Sequence, residues 1–403
     1  MELLRLLICI LQLIVGVGLA YHYLLLIAGG RSRRGAVGIE SGDLCFAVAV
    51  PAHNEESVIG ATVTRLRQMA YPEDCFDVHV VADYCSDTTA QVARSAGAIV
   101  HVRSEGPRGR KGYALAWLLT RLLEGLQHYD AVVIFDADSQ VAPDFLSWMD
   151  RALAAGAQVA QGRHVIANPD VSTFSALADA DMRLNNRIRN QAKENLGLSA
   201  RLMGDGMCFR REVLEMYPFG AHSLTEDREY GLHLVTRGIR VRFVPEAISV
   251  GQATVRWSDA TGQRLRWYGG AFDLQKRYLG PLLVTAWKSR SLDALDSALE
   301  LSLPPFSVLS VLAVALLVLQ AILWIVRFPS RLAPGALLAG LALAYPFLGL
   351  LAERAPGRSF RALMCGPLYA LWRVWVGLRV RLRRGQVPWI RTRRQEEEEG
   401  LVR

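Results

Sequence analysis

The sequence predicts an α/β domain on a mostly parallel sheet, flanked by transmembrane helices and followed by an amphipathic helix at the membrane surface. Three observations predict it. The 403 residues are 51% hydrophobic and 21% charged, and the apolar excess collects in the first thirty residues and the last hundred. Between these ends, short apolar runs alternate with amphipathic helical periodicity, the pattern of a parallel sheet covered on both faces. Three of the runs end in polar and acidic residues, at the sheet edge where such folds take ligands.

The N-terminal element comes first. Leu6 to Ala28 is a nearly unbroken apolar run, interrupted by Gln12 and Tyr21-His22-Tyr23, and about 20 residues suffice to cross a bilayer. Gly18-Leu19-Ala20 loosely resembles a signal-peptide cleavage site. The apolar stretch continues past it, however, until Arg31, Arg33 and Arg34 stop it, so the segment reads as an anchor. Leu303 to Val326 and Ala333 to Leu351 form two further spans, joined by a short loop containing Pro329 and Pro334. In Phe360 to Arg384 the apolar residues are broken by Arg361, Arg373, Arg379 and Arg381, with Trp372 and Trp375 among them, as in an interfacial helix. Arginines at 31, 33, 34, 354 and 358 outnumber those at 327 and 331 across these spans, which places the central domain in the cytosol at the inner membrane. The expected divisions are 1–30, 42–280, 281–302, 303–352 and 353–403.

Net charge is +8, carried by arginine, since the only lysines are Lys111, Lys193, Lys276 and Lys288. The arginines cluster beside apolar runs, which favours a membrane surface and argues against nucleic acid. The six cysteines contain no C-x-x-C pair, so neither a disulfide framework nor a zinc site is expected.

In the centre, Phe46 to Val50, Val78 to Ala82, Ile99 to Val102, Ala131 to Phe135 and Val159 to Gln161 read as buried strands. Glu56 to Met69, Thr88 to Ala96 and Gly112 to Leu126 read as the helices between them. The first strand ends in Pro51-Ala52-His53-Asn54-Glu55, the second in Asp83 to Asp87, the fourth in Asp136-Ala137-Asp138. Asp83 alone reads as a turn residue and Asp87 as a helix cap. Asp-x-Asp is expected about once by chance in a chain with 19 aspartates, and a second copy, Asp179 and Asp181, lies in a polar helical stretch. Asp136 and Asp138 differ in following a buried strand, where two carboxylates suit a magnesium ion that completes its shell with substrate phosphates. An aspartyl phosphatase would place this motif after the first strand, with Thr or Val where Gln140 stands.

Lys111 lies in Gly109-Arg110-Lys111-Gly112 at a helix start, a place for phosphate, although the full P-loop spacing is missing. Thr225-Glu226-Asp227 opens a helix running to Arg237, with Thr225 as cap. In this company Asp227 also reads as a general base. Gln263-Arg264-Leu265-Arg266-Trp267 is the most specific string, compatible with a juxtamembrane Trp anchor or with a diphosphate and sugar pocket.

These residues together resemble the membrane-bound family 2 glycosyltransferases of GT-A fold, a group that includes cellulose, chitin, hyaluronan and poly-N-acetylglucosamine synthases and ceramide glucosyltransferases. The likeness covers roughly Ala47 to Tyr278 and the flanking membrane helices. It implies that Ala52, Glu55 and Asp83 contact the nucleoside, that Lys111 contacts the nucleotide, and that Asp136 and Asp138 hold the diphosphate with Mg²⁺ or Mn²⁺. It implies Asp227 as base, and Glu226, Gln263, Arg266 and Trp267 as the acceptor and leaving-group pocket. Gly204-Asp205-Gly206 falls where such enzymes have an acceptor-side loop, and Trp389 to Arg394 resembles their cytosolic tail.

The resemblance implies inverting transfer from a nucleotide-diphosphate sugar, with UDP the family's common choice, to an acceptor hydroxyl on a glycan or lipid. The Gln-Arg-x-Arg-Trp string leans toward polysaccharide synthesis. Two or three spans are few for a polymer channel unless copies or a partner subunit contribute, so single transfer to a lipid is the alternative. A non-catalytic sugar-nucleotide scaffold is the alternative of another class.

Overall fold

A computed structural model describes residues 2–30, 43–125, 128–220, 223–255, 257–326 and 331–382. Arg31, Arg33, Arg34, Arg327, Pro329 and the tail from Trp389 lie outside the described residues.

Helix α1 is Glu2–Gly29. The central domain then alternates β1 (Phe46–Ala52), α2 (Ile59–Arg67), β2 (Phe76–Asp83), α3 (Thr89–Ser95), β3 (Ile99–Arg103), α4 (Lys111–Glu124) and β4 (Ala131–Ile134). It continues with β5 (Gln140–Val141), α5 (Phe145–Ala154), β6 (Val159–Ile166), α6 (Thr173–Met182), a π-helical turn (Arg183–Ile188) and α7 (Arg189–Asn195). Then come β7 (Met207–Arg210), α8 (Arg211–Met216), α9 (Glu226–Thr236) and β8 (Val241–Gly251). The C-terminal part holds α10 (Trp257–Ser289), α11 (Leu292–Ser302), α12 (Phe306–Ile325), α13 (Leu332–Ala352), α14 (Gly357–Ala362) and α15 (Gly366–Leu382).

One eight-stranded sheet runs in the order β3-β2-β1-β4-β7-β6-β8-β5. The first four strands are mutually parallel, β7 runs against both its neighbours, and β5 closes the far edge antiparallel to β8. The pleat sorts side chains to two faces. Phe46, Val48 and Val50 meet α2 and α5 residues such as Ile59, Val63 and Phe145, whereas Ala47 and Ala49 meet Leu115, Leu118, Tyr230 and Leu234 of α4 and α9. Because β2, β1 and β4 are parallel neighbours, their polar ends lie side by side.

Helices α1, α12 and α13 are long and apolar enough to cross a membrane. Val15, Leu19, Ala313, Leu316 and Ala342 form their shared buried core, while Leu13, Ile27, Ile322 and Leu337 point outward. Pro334, expected in a loop, instead sits in the first turn of α13, where its missing N–H costs no helical bond. α10 runs through Pro281 to Ser289, so the boundary expected at 280/281 falls inside a helix. In α15 Arg361 lies upstream and exposed, Arg381 is exposed, and Arg373 turns inward instead, for a reason that belongs to the site.

Candidate active site

The ends of β1 and β2 are tied together first. His53 Nδ1 lies 2.6 Å from the Asp83 carbonyl oxygen, and Asn54, held at φ 54°, accepts the Ser86 N–H at 2.8 Å. The Glu55 N–H donates to Thr89 Oγ1 at 2.7 Å. Ala52 is buried at the end of β1, and Glu55 is half-buried in the loop beyond it. The Asp83 carboxylate accepts from buried Arg103, whose guanidinium also reaches the Pro107 carbonyl at 2.6 Å. Asp87 receives the Thr89 N–H at 3.0 Å, but the cap position of α3 falls on Thr88, one residue later than expected.

At the end of β4 the backbone turns and leaves Asp136 and Asp138 half-buried at the mouth of the cleft. Lys111, at the first position of α4, donates to the Asp136 carboxylate and, at 2.7 Å, to the Gly204 carbonyl. Burial works against the lysine's charge, but the Asp136 and Glu226 carboxylates outweigh it and hold its pKa above the ordinary value. The Asp136 carboxyl is raised by desolvation and by Asp205 and Asp138, against the pull of Lys111.

Asp205, expected on the acceptor side, is buried at 2% exposure and bonded within the domain. It accepts from Ser139 Oγ at 2.5 Å and from the Asp136 N–H at 3.1 Å, and lies 2.9 Å from His164 Nδ1. Burial raises an acid, but the hydrogen bonds and charge of His164 bring Asp205 down to about 2, and the imidazole is raised in return. Gln161, fully buried on β6, accepts the Met203 N–H and donates to the Asp205 carbonyl, both at 2.8 Å, fixing the 203–206 loop.

That loop supports the base candidate. Gly204 adopts φ +84°, and a Cβ there would lie 3.3 Å from Asp227 Oδ2, so the glycine both makes the turn and leaves the carboxylate room. Glu226 is pushed up to about 7 by burial and by Asp227, and Asp227 is raised by burial. Thr225 occupies the cap position of α9, but its hydroxyl makes no cap bond. It is buried against Gly270 of α10, where a Cβ would come within 2.4 Å of Oγ1.

α10 brings in the last group. Gln263 and Arg266 are half-buried and Trp267 is 39% exposed. Burial lowers the Arg266 pKa, while the charges of Glu226 and Asp136 reach it and oppose that. Lys111, Asp136, Glu226, Asp227 and Arg266 thus converge from four elements of the fold.

A sequence model described as glycosyltransferase like family 2 matches residues 43–270, more than half of the chain. The chain belongs to glycosyltransferase family 2. It is 30% identical to a beta-monoglucosyldiacylglycerol synthase of Trichormus variabilis, over 59% of this chain and 51% of that one. It is 26% identical to cellulose synthase 2 of Novacetimonas hansenii, over 60% of this chain and 15% of that one. The chain therefore spans about half the length, or less, of these curated relatives. Among solved structures it resembles the mannosyltransferase PcManGT from Pyrobaculum calidifontis, in complex with GDP-Man and Mn²⁺. The TM-score is 0.56 at 19% identity, covering 89% of this chain and 99% of that one. The fold is GT-A.

Within this family 2 transferase, no group of three or more metal-ligating side chains occurs among the described residues. The two carboxylates of Asp136 and Asp138 nonetheless fit a magnesium or manganese ion, because that chemistry needs one or two protein carboxylates beside phosphate oxygens and water.

Two residues that organise the site carry no signal in the sequence. His164, a single histidine in a strand, meets Asp205 only through the sheet. Asp181, in the discounted Asp-x-Asp copy, accepts from Arg264 at 3.0 Å and from Arg373 of α15 at 2.8 Å. Arg264 also donates to Tyr369 at 2.7 Å and lies 5.0 Å from the Trp267 ring centre. This buried cross-link, with Arg373 reaching Tyr268 at 3.0 Å, is why Arg373 faces inward, and it holds the stretch of α10 that carries Arg266 and Trp267.

Proposed function

We propose that this transferase moves a single hexose from a UDP-sugar to a hydroxyl of a membrane lipid, with inversion at the anomeric carbon, on the cytosolic face of the membrane. The observation that carries the reading is the convergence of Lys111, Asp136, Arg266 and the Glu226–Asp227 pair directly beside a membrane-spanning bundle. Ala52, Glu55 and Asp83 line the nucleoside end. A Mg²⁺ or Mn²⁺ ion held by Asp136 and Asp138 would supply charge neutralisation for the diphosphate.

The side chains do the rest. Lys111 and Arg266 bring positive charge to the side where the departing diphosphate gathers negative charge. Asp227, packed against Gly204, accepts the proton from the acceptor hydroxyl as that oxygen attacks. Attack from the face opposite the leaving group completes transfer in one displacement, so no carboxylate nucleophile is required. Trp267 offers an aromatic face to the acceptor, with Gln263 beside it.

The choice of a lipid over a growing polysaccharide rests on the bundle. Val15, Leu19, Ala313, Leu316 and Ala342 fill the space between α1, α12 and α13, so a polymer conduit would need helices beyond these three. A relative that glucosylates diacylglycerol, as its name states, points the same way. The test is to incubate the purified full chain with UDP-sugars, Mn²⁺ and lipid acceptors, then resolve products by chromatography and mass. A lipid carrying one inverted hexose is the expected product. A polymer, or no transfer from any UDP-sugar, overturns the reading.

A further inference from the structure

A second charged centre lies behind the base, where the catalytic domain meets the membrane helices. Glu300 of α11 faces four cations: Arg189 at 3.3 Å, Lys193 at 2.5 Å, Arg228 at 3.7 Å and Arg201 in direct contact. Asp296 adds a second carboxylate, 2.8 Å from Lys193. Arg189, Arg201 and Arg228 thus share the one carboxylate of Glu300 as their ion-pair partner among the described residues, while the charges of Asp227 and Asp293 reach the cluster from farther off. Three guanidiniums drawn from water onto one carboxylate are costly unless a further anion meets them.

The centre is also hollow. A cavity of about 30 Å³ opens between Arg201, Arg228, Lys193 and Glu300. One water needs roughly 10–15 Å³ on this measure, so two oxygen-sized atoms fit. The Arg201 Nε is buried without a hydrogen-bond partner. Burial and the neighbouring arginines lower the pKa of both Arg201 and Arg228, the latter to about 10, as expected where cations crowd one another.

Its neighbours identify the anion's source. α1 and α12 are long and apolar enough to cross a membrane, and α1 touches the centre: Tyr21 donates to Asp296 at 2.8 Å and His22 lies 3.3 Å from Arg189. Glu300 itself precedes the start of α12 by less than two turns.

We propose that this cavity binds the phosphate of an anionic membrane lipid, whose two non-bridging oxygens meet Arg201 and Arg228. It rests on the membrane placement in the reading above, and it gives that reading a regulator. Arg228 adjoins Asp227 on α9, so an occupied cavity fixes the turn that carries the base, and transfer responds to the anionic lipid content of the membrane.

The experiment measures binding without donor or acceptor, so its outcome is independent of whether sugar transfer is found. The full chain is titrated with phosphatidylcholine vesicles, with vesicles that also contain phosphatidylglycerol, and with inorganic phosphate. Arg201→Gln is expected to weaken capture of the phosphatidylglycerol vesicles about tenfold, the worth of one charge-assisted hydrogen bond. Arg94→Gln, on exposed α3, is expected to leave it unchanged. Glu300→Gln removes the competing carboxylate and is expected to strengthen capture, whereas a purely structural ion network is weakened by both changes. Arg201→Lys retains the charge and is expected to keep most of the binding, which separates loss of the site from loss of fold. Equal effects of Arg201→Gln and Arg94→Gln, or weakening by Glu300→Gln, overturn the proposal. So does binding of inorganic phosphate without preference for the anionic vesicles.

Discussion

The carboxylate of Asp205 accepts the backbone N–H of Asp136 at 3.1 Å, so the first candidate metal carboxylate is held by a buried acid and not by its own loop alone. His164, at 2.9 Å, neutralises that acid from below. Replacing Asp205 by Asn is expected to leave the fold intact but loosen the turn and leave the imidazole without its carboxylate. The measurements are melting temperature and the Mn²⁺ concentration for half-maximal transfer. A destabilisation of about 3 kcal/mol with a raised Mn²⁺ requirement is expected, and an unchanged Mn²⁺ requirement rules out the positioning role.

Asp227→Asn is expected to lower kcat by at least about 100-fold, the lower range for loss of a general base. Donor affinity, read by calorimetry with UDP, is expected to change little because Lys111 and Asp136 are untouched. Near-normal turnover would remove Asp227 from the mechanism.

Lys111→Ala removes the cation that joins Asp136 to the Gly204 carbonyl. The expected result is weaker donor binding, seen as a KM for UDP-sugar raised about tenfold, together with lower kcat. Lys111→Arg is expected to rescue little, since two acceptors on separate loops are met by one ammonium and do not match a planar fork.

The pH dependence follows from the carboxyl pair. Glu226 is pushed up to about 7 and Asp227 is raised as well, so the folded protein holds protons that the unfolded chain releases from about 4.5 upward. Their contribution to stability therefore falls as pH rises from 4.5 to about 7. Transfer moves the other way, because the base must be ionised. The acid limb of kcat/KM is expected above the ordinary aspartate range, and Glu226→Gln is expected to shift it to lower pH by removing the neighbouring charge. An acid limb that stays in place in this variant separates Glu226 from the base.

The helix cross-link gives a fifth mutational test. Asp181→Asn leaves Arg264 and Arg373 side by side without their shared carboxylate, which costs roughly 3–5 kcal/mol when a buried partner is removed. Limited proteolysis is expected to cut near α15 in the variant and not in the parent chain, and a parent-like pattern would count against the cross-link.

Much of this was legible because physics writes it locally. Val48, Val80 and Val133 sit in continuous apolar runs that only a doubly covered strand explains, and the acids that follow them land together because parallel neighbours end on one edge. β7 and β8 escaped for local reasons as well. Met207–Arg210 is too short to show a period, and Pro245 and Glu246 interrupt the hydrophobic pattern of Val241–Gly251. α2 starts at Ile59, not Glu56, because Asn54 takes a left-handed turn and Glu55 is drawn to Thr89. Asp205, His164 and Asp181 were out of reach for another reason. Their partners lie 41 to 192 positions away, and only the folded sheet and the packed helices bring those partners close.

That last separation bears on how the protein is made. Arg264 follows Asp181 by 83 positions and Arg373 follows it by 192. A ribosome therefore delivers the third member of the cross-link only after α12 and α13 have left the exit tunnel. Until then the stretch of α10 that carries Arg266 and Trp267 lacks the surface that sets its angle. On the proposed mechanism, Arg266 and Trp267 therefore take their working angle only once α15 has docked.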